Sequence, residues 1–314
     1  MKTTNIITGE GIKKLEYLRD GKFYYTVPFV QNKDELTVCV SSQIGCPLKC
    51  TFCATGDMPF VRNLTQDDIA EQIIDGTVAM QAEIEKNNLR KIKVIAEGMG
   101  DSSFNIENLV KGFWQARPAL LDRFGMEIAD FGISTIGNTA VIEPYKALAR
   151  ADRDSGTTYD FQISLHAADS AERKTHLIPN MPRDKRTGKE LSIEGIVDEF
   201  VPLARELGQP FKFNFLLLQT PEWNNFSEEQ VKKLVRLCEY TKAQGVPVQV
   251  KLTEYSDTGK TFSSPERAVY ERVVETLRKA SVNGYHRPLM GLDVQGACGQ
   301  LHYEQLSRRN GGSE

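Results

Sequence analysis

The segment Cys46-Pro47-Leu48-Lys49-Cys50-Thr51-Phe52-Cys53 constrains this chain more than any other. Its three thiols are separated by three and then two residues. That spacing lets one short loop curl about a single cubic iron–sulfur cluster and leaves the fourth iron without a protein ligand. An iron left open is a place for something else to bind. Two blander readings are a loop of buried free cysteines and a zinc knuckle. Zinc takes four ligands, commonly from paired C-x-x-C modules, and neither a second pair nor a nearby histidine accompanies this one. The cluster reading is therefore favoured over both.

Cysteine usage elsewhere agrees. Of the six cysteines, four fall between Cys39 and Cys53, and the others are Cys238 and Cys298. That is too few and too clustered for a disulfide framework, and points to reduced thiols serving a metal in a reducing compartment. The length of 314 residues suits one α/β barrel or two ordinary domains, and 40% apolar with 26% charged residues suits a soluble chain with a sizeable core. A net charge of −3 and a pI near 6.0 advertise no global basic field for nucleic acid, although a local patch can suffice. No apolar run is long enough to span a bilayer, and the opening residues lead into no signal-like core, so no membrane partner and a cytoplasmic location are expected.

The aromatic and β-branched run at 21–30 reads as an edge strand or hairpin, with Pro28 keeping it off a sheet centre. Strand patterns follow at 36–40, 91–96, 127–134, 159–166, 211–218 and 246–252. Helical patterns alternate with them, the first opening at a capped Thr65 and carrying Ile69, Ile73 and Val78, and a later one opening at Ser227. Six β-then-α units in series predict an α/β fold, a partial (β/α)6 TIM-like barrel with a short N-terminal β extension. The expected limits are 1–34 for the extension, 35–303 for the barrel with a C-terminal cysteine loop, and 304–314 for a flexible tail.

In such barrels reactive groups gather at the carboxyl ends of the strands. There the chain has the cluster loop, then Gly98-Met99-Gly100-Asp101, Ser134-Thr135-Ile136-Gly137 and Ser164-Leu165-His166-Ala167. Singly, each is explained by a tight turn, a helix cap or a hydrogen-bonded rim histidine. Their common placement beside the cluster loop gives them functional weight. Near the far end, Gly296-Ala297-Cys298-Gly299-Gln300-Leu301 puts a cysteine on a terminal loop free to swing over the barrel mouth, so that Cys298 and Cys39 are two thiols outside the triad.

The C-x-x-x-C-x-x-C spacing, with Phe52 before the last cysteine, resembles the radical S-adenosylmethionine (SAM) enzymes. With Cys39-Val40-Ser41-Ser42-Gln43, Ala54-Thr55-Gly56, Arg62-Asn63-Leu64, Gly98-Met99-Gly100, Ser134-Thr135, Ser164-Leu165-His166-Ala167 and Ala297-Cys298-Gly299-Gln300-Leu301 in order, the chain resembles the RlmN/Cfr group of RNA adenine methyltransferases. The resemblance implies a barrel of the radical SAM type and two cofactors, a [4Fe-4S] cluster on Cys46, Cys50 and Cys53, and SAM against Gly100, Asp101, Ser134, Ser164, Leu165 and His166. It implies that Cys298 takes a methyl group from one SAM, and that a radical from a second activates this methyl for addition to an electron-poor ring carbon. Cys39 then releases the product by forming a disulfide with Cys298. Implied partners are an RNA substrate, rRNA or tRNA, and an electron-donating flavodoxin or ferredoxin, with a monomeric enzyme.

The chain departs from the family pattern at four places. Gly100-Asp101-Ser102 stands for Gly-Glu-Pro, and the family's proton-accepting glutamate upstream of Cys39 falls on Tyr25 or Thr26. The asparagine expected after the sixth strand falls on Tyr255-Ser256, making Ser256 the candidate there, and an N-terminal accessory domain is not matched. Two other readings stay open: a methylase of the same mechanism acting on a small molecule or peptide, and a non-catalytic iron–sulfur protein.

Overall fold

A computed structural model describes residues 3–32, 34–184, 187–297 and 299–301. Three antiparallel strands open the chain: β1 (Asn5–Gly9), β2 (Ile12–Arg19) and β3 (Lys22–Asn32). β4 (Glu35–Cys39) pairs antiparallel with β3 and parallel with the next long strand, so the extension and the barrel share one sheet. The short strands β5 (Gln43–Ile44) and β6 (Arg62–Asn63) pair with each other and close the neck of the cluster loop. The parallel series continues as β7 (Lys91–Ala96), β8 (Glu127–Thr135), β9 (Thr158–Ser164), β10 (Phe211–Leu216), β11 (Val248–Thr253) and β12 (Asn283–Arg287). The order across the ten-stranded sheet is β1-β2-β3-β4-β7-β8-β9-β10-β11-β12. The main helices are α1 (Gln66–Ala79), α2 (Gln81–Asn87), α3 (Ile106–Phe124), α4 (Ile142–Ala151), a single turn α5 (Ser170–Glu172) continued by a π turn over Arg173–Leu177, α6 (Ile193–Leu207), α7 (Glu228–Ala243) and α8 (Arg267–Lys279). Among the described residues no helix is long and apolar enough to cross a membrane.

The alternation of each strand divides its side chains between two environments. Leu36, Val38, Ile92, Val94, Phe213 and Val250 are fully buried in the main core. Their neighbours Thr37, Lys93, Lys212 and Lys251, with Arg287 from β12, line one cavity that also touches β8 and β9. A cavity touched by all seven parallel strands lies inside a curled sheet, so the sheet is a partial barrel with a polar lumen.

Local signals set the helix ends. Thr65 and Asp68 form a reciprocal capping box at the start of α1, and Ser192 and Ser227 cap α6 and α7 through Gly195 N and Gln230 N. Ile69 and Ile73 are buried as expected, but Val78 is exposed. Three further features differ from the sequence reading. The seventh parallel strand β12, after α8, was not anticipated, and neither was α2. Residues 21–30 form a hairpin with β2, the second of the two readings, but lie not at an edge: they run between β2 and β4, which makes β3 an interior strand. Pro28 is tolerated because the ladder to β2 is interrupted beside it, with pairs at Ile12–Phe29 and then only at Leu15–Thr26. The expected tail at 304–314 lies outside the described residues.

Helix α1 fixes the point where β4 enters the cluster loop. The buried Gln72 side chain accepts from Ser41 N at 2.8 Å and donates to Ser41 O at 3.1 Å. Gln72→Leu leaves both backbone groups buried without this partner, and is expected to cost about 3 kcal/mol in urea unfolding of the cluster-free protein. A loss under about 0.5 kcal/mol would show that the tie is not structural.

Candidate active site

The cluster loop leaves β4, passes through β5 and returns by a 3-10 turn at Ala54–Asp57 to β6. Its tight path depends on Gly56, where a Cβ would lie 2.4 Å from the Cys50 carbonyl oxygen. Cys46, Cys50 and Cys53 line one cavity of about 140 Å3. Round them lies a second apolar cluster, separate from the main core, that includes Leu48, Phe52, Ile136, Leu177, Ile178, Met181 and Tyr255. Burial pushes the Cys46 thiol up to about 12 and the Cys50 thiol well above its ordinary value, so both are protonated until a metal displaces the proton. No group of His, Cys, Asp or Glu among the described residues is gathered closely enough to hold a single metal ion. A cubic cluster makes a different demand, because each thiolate takes its own iron and the sulfurs stand farther apart. Three thiols on one cavity wall in an apolar collar fit that demand.

The same cavity is lined by Gly100, Asp101, Ser134, Ser164 and His166, which come from the ends of three different strands. Gly100 has φ +96, and a Cβ there would lie 2.6 Å from Ser42 Oγ, so the turn both needs glycine and brings the backbone to the cavity. Asp101 acts as a clasp. Its Oδ2 accepts from Ile136 N at 2.8 Å and its Oδ1 from Ser103 N at 2.9 Å, tying the loop after β7 to the loop after β8. Burial raises its pKa despite these hydrogen bonds. Ser134 and Ser164 share a hydrogen bond of 2.9 Å, and Gln162 Nε2 donates to Ser134 Oγ at 3.2 Å. His166 has φ +58, a left-handed backbone uncommon outside glycine, held by Asn225 Nδ2 donating to its carbonyl at 2.7 Å. Its Nδ1 accepts from Leu216 N at 3.1 Å, so the neutral ring carries its proton on Nε2. Burial, then Arg173 and Lys251, lower its pKa to about 3.

Other expected residues lie elsewhere. Leu165 is fully buried in the main core and contributes its backbone instead, its N–H donating to Asn214 O at 2.9 Å. Ser256 is buried beside Tyr255 and does not line the cavity, and its Oγ has no hydrogen-bond partner among the described residues. Tyr25 is packed under Lys14, whose Nζ is 5.5 Å from the ring centre, and reaches neither this cavity nor the next. Cys39 lines a second cavity together with Val27, Phe29, Ile95, Lys251, Arg287 and Ala297. Cys298 lies outside the described residues. Its neighbours do not: Ala297 lines the second cavity and Gly299 the first, and Gly299 O accepts from Ala54 N at 2.9 Å.

Glu97, Gln162 and Asn214 line the first cavity and were missed. Each is a polar residue at an inward position of an apolar strand end, which was the available signal. Glu97 also lines the second cavity and the lumen, and its Oε2 is 3.6 Å from Lys251 Nζ. Burial alone would push its carboxyl up, but Lys251, Arg287 and Lys93 together hold it below the usual range.

No family model matches the chain. A probable dual-specificity RNA methyltransferase RlmN from Thermosipho melanesiensis is 32% identical over 297 residues, covering 94% of this chain and 77% of the relative. The chain belongs to the RlmN family. Another RlmN-family relative, the probable dual-specificity RNA methyltransferase of Chlorobium phaeobacteroides, is 31% identical over 303 residues, covering 95% of this chain and 75% of its own length. The dual-specificity RNA methyltransferase RlmN of Zymomonas mobilis is 30% identical over 311 residues, covering 97% and 73%. A solved radical SAM methyltransferase from Sphaerobacter thermophilus superposes on this RlmN-family chain with a TM-score of 0.76 at 24% identity, covering 96% of this chain and 81% of that one, which shows the shared fold.

Neutral, buried His166 sets an acid limit on the RlmN-family fold. Unfolding frees the ring to take up a proton below its ordinary value near 6.5, which the folded site refuses until about pH 3. The stability this group contributes is thus complete above pH 6.5 and is lost as pH falls towards 3, by about 1.4 kcal/mol per unit. Urea unfolding between pH 6 and pH 4 should show His166→Gln with a slope shallower by about that amount. Identical slopes would place His166 in a site open to protons.

Proposed function

We propose that this chain is a radical SAM methyltransferase that methylates an adenine ring carbon in RNA through Cys298 and Cys39. The observation that carries the reading is the pair of adjoining cavities. One is lined by the three cluster cysteines and the polar strand ends, the other by Cys39, and they share Glu97 as a wall. Ala297 and Gly299, on either side of Cys298, line one cavity each.

When bound, the cluster supplies one electron to SAM, and SAM supplies both the methyl group and the hydrogen-abstracting radical. Cys46, Cys50 and Cys53 hold the cluster. Ser134, Ser164 and Gln162 offer hydroxyl and amide groups to the polar end of SAM, and the His166 Nε2–H offers a neutral donor. Asp101 keeps two of the contributing loops in register. Cys298 accepts the first methyl because a thiolate is nucleophilic near neutral pH, whereas an aromatic amidine carbon is not. The base would then be joined through the former methyl carbon to the Cys298 sulfur. Once this adduct has given up its ring proton and one electron, which the cluster would take back, Cys39 would attack the Cys298 sulfur. The sulfur–sulfur bond would form as the sulfur–carbon bond breaks, and the released base would keep that electron pair and take up a proton to complete its methyl group. The apolar walls of the second cavity, Val27, Phe29 and Ile95, suit a planar base, and Glu97 with Lys251 and Arg287 supplies a polar edge for it.

The substrate is rRNA or tRNA, the electron donor a flavodoxin or ferredoxin, and the enzyme a monomer. The names of the relatives favour RNA over a small molecule or peptide, and an enzyme over a non-catalytic iron–sulfur protein. Mass spectrometry of the purified protein should find a methyl group on the peptide containing Cys298. Cys298→Ala should lose methyl transfer to RNA by at least about a thousandfold. Transfer at the wild-type rate would overturn the role of Cys298. RNA affinity measured by filter binding should fall steeply with salt.

A further inference from the structure

Arg173 has no exposed surface. Its Nε donates to Leu165 O at 2.9 Å, its Nη2 to Ile136 O at 2.8 Å and Ser164 O at 2.7 Å, and its Nη1 reaches the Met181 sulfur at 3.9 Å. Three carbonyls and a thioether meet four of its five N–H groups, and no carboxylate among the described residues forms an ion pair with it. A buried charge with no counter-ion costs several kcal/mol. The charges that act on it are Cys50 first and then Asp101, whose oxygens accept from the Ser103 and Ile136 N–H groups and not from the guanidinium. Burial draws the guanidinium pKa down to about 10, which leaves it cationic at neutral pH.

The position of Arg173 identifies what balances it. It begins the π turn Arg173–Leu177, which is stitched to the cluster loop next to Cys50: Thr51 N donates to Leu177 O at 3.0 Å and Thr51 Oγ1 to His176 O at 2.6 Å. Leu177, Ile178 and Met181 from this segment pack in the same apolar cluster as Cys46, Cys50 and Cys53.

We propose that Arg173 is the fixed countercharge of the iron–sulfur cluster and raises its reduction potential, acting as a positioning residue for the first electron transfer. This rests on the cluster reading above. Three thiolates around an oxidised cubic core leave one net negative charge, and an electron from a low-potential donor makes it two. That donor is oxidised by one electron, and no proton moves. A neighbouring cation in a medium of low polarity stabilises the second negative charge along with the first, so the reduced form gains more.

The test is an anaerobic potentiometric titration with dithionite, read by electron paramagnetic resonance, on reconstituted wild type, Arg173→Gln and Arg173→Lys with iron and sulfide counted in each. Arg173→Gln is expected to lower the equilibrium constant for reduction at least tenfold, which for one electron is about 59 mV. Arg173→Lys keeps the charge but loses the three-carbonyl fork, and should stay within about threefold of wild type while melting at a lower temperature. An unmoved midpoint in fully loaded Arg173→Gln overturns the proposal, and so does a tenfold shift in Arg173→Lys. If Arg173→Gln does not hold its cluster, Arg173→Lys alone decides by the same criterion. A wild-type protein that takes up no cluster overturns the cofactor reading and this inference together, whereas an unmoved midpoint in loaded protein removes only the role of Arg173.

Discussion

The apolar collar around the three cysteines is the constraint on which the site depends. A loop bearing three thiols has no reason to stay closed without metal, since burial keeps two of them protonated and they offer each other no bond. Closure comes from outside the loop. Leu177 and Ile178 arrive from the segment after β9, Leu216 from β10, and Tyr255 from beyond β11. Thr258 Oγ1 then donates to Phe52 O at 2.9 Å, and Ala54 N is held by Gly299 O. Four distant stretches must therefore be in place before the loop has its shape, which makes the site a product of the finished barrel.

How much of this could be read from residues alone follows from the same division. Cysteine spacing, glycines at strand ends and capping residues are local signals, and they led to the three cysteines and to several other residues that line the same cavity. Gly100, Asp101, Ser134, Ser164 and His166 converge because each lies at or just beyond the carboxyl end of a parallel strand, and parallel strands point these ends one way. Tyr25 and Ser256 were reached only through matched positions, with no local pattern to say which way their side chains turn, and both are packed away from the cavities. Strand β12 was illegible for a different reason. Asn283-Gly284-Tyr285-His286-Arg287 has no apolar alternation, because it lies at a sheet edge with its inward side facing a polar lumen.

That polar lumen also explains Glu97. In a barrel packed with branched apolar side chains, a carboxylate at this depth would be neutral or would disrupt the fold. Here Lys251, Arg287 and Lys93 face it from β11, β12 and β7, and the carboxylate remains ionised. Charged strand positions that look like faults in an apolar pattern, such as Lys212 with Asp160 at 2.5 Å, are pairs formed between neighbouring strands on the wall of the lumen.

The antiparallel extension has a structural role that its composition conceals. It continues the barrel sheet beyond β4, and the C-terminal segment lies along it. A Cβ on Gly9 would collide with the Asp293 carboxylate at 1.9 Å, one on Gly291 would meet Ile12 at 2.8 Å, and one on Gly296 would lie 3.2 Å from Val27. Glycines on both sides thus let the segment before Cys298 run close against β1, β2 and β3. Since Val27 and Ala297 line the same cavity as Cys39, the extension forms part of the wall against which the proposed chemistry takes place. The interior position of β3 follows from this arrangement: β4 holds one flank, and on the other β2 is needed to carry the C-terminal segment.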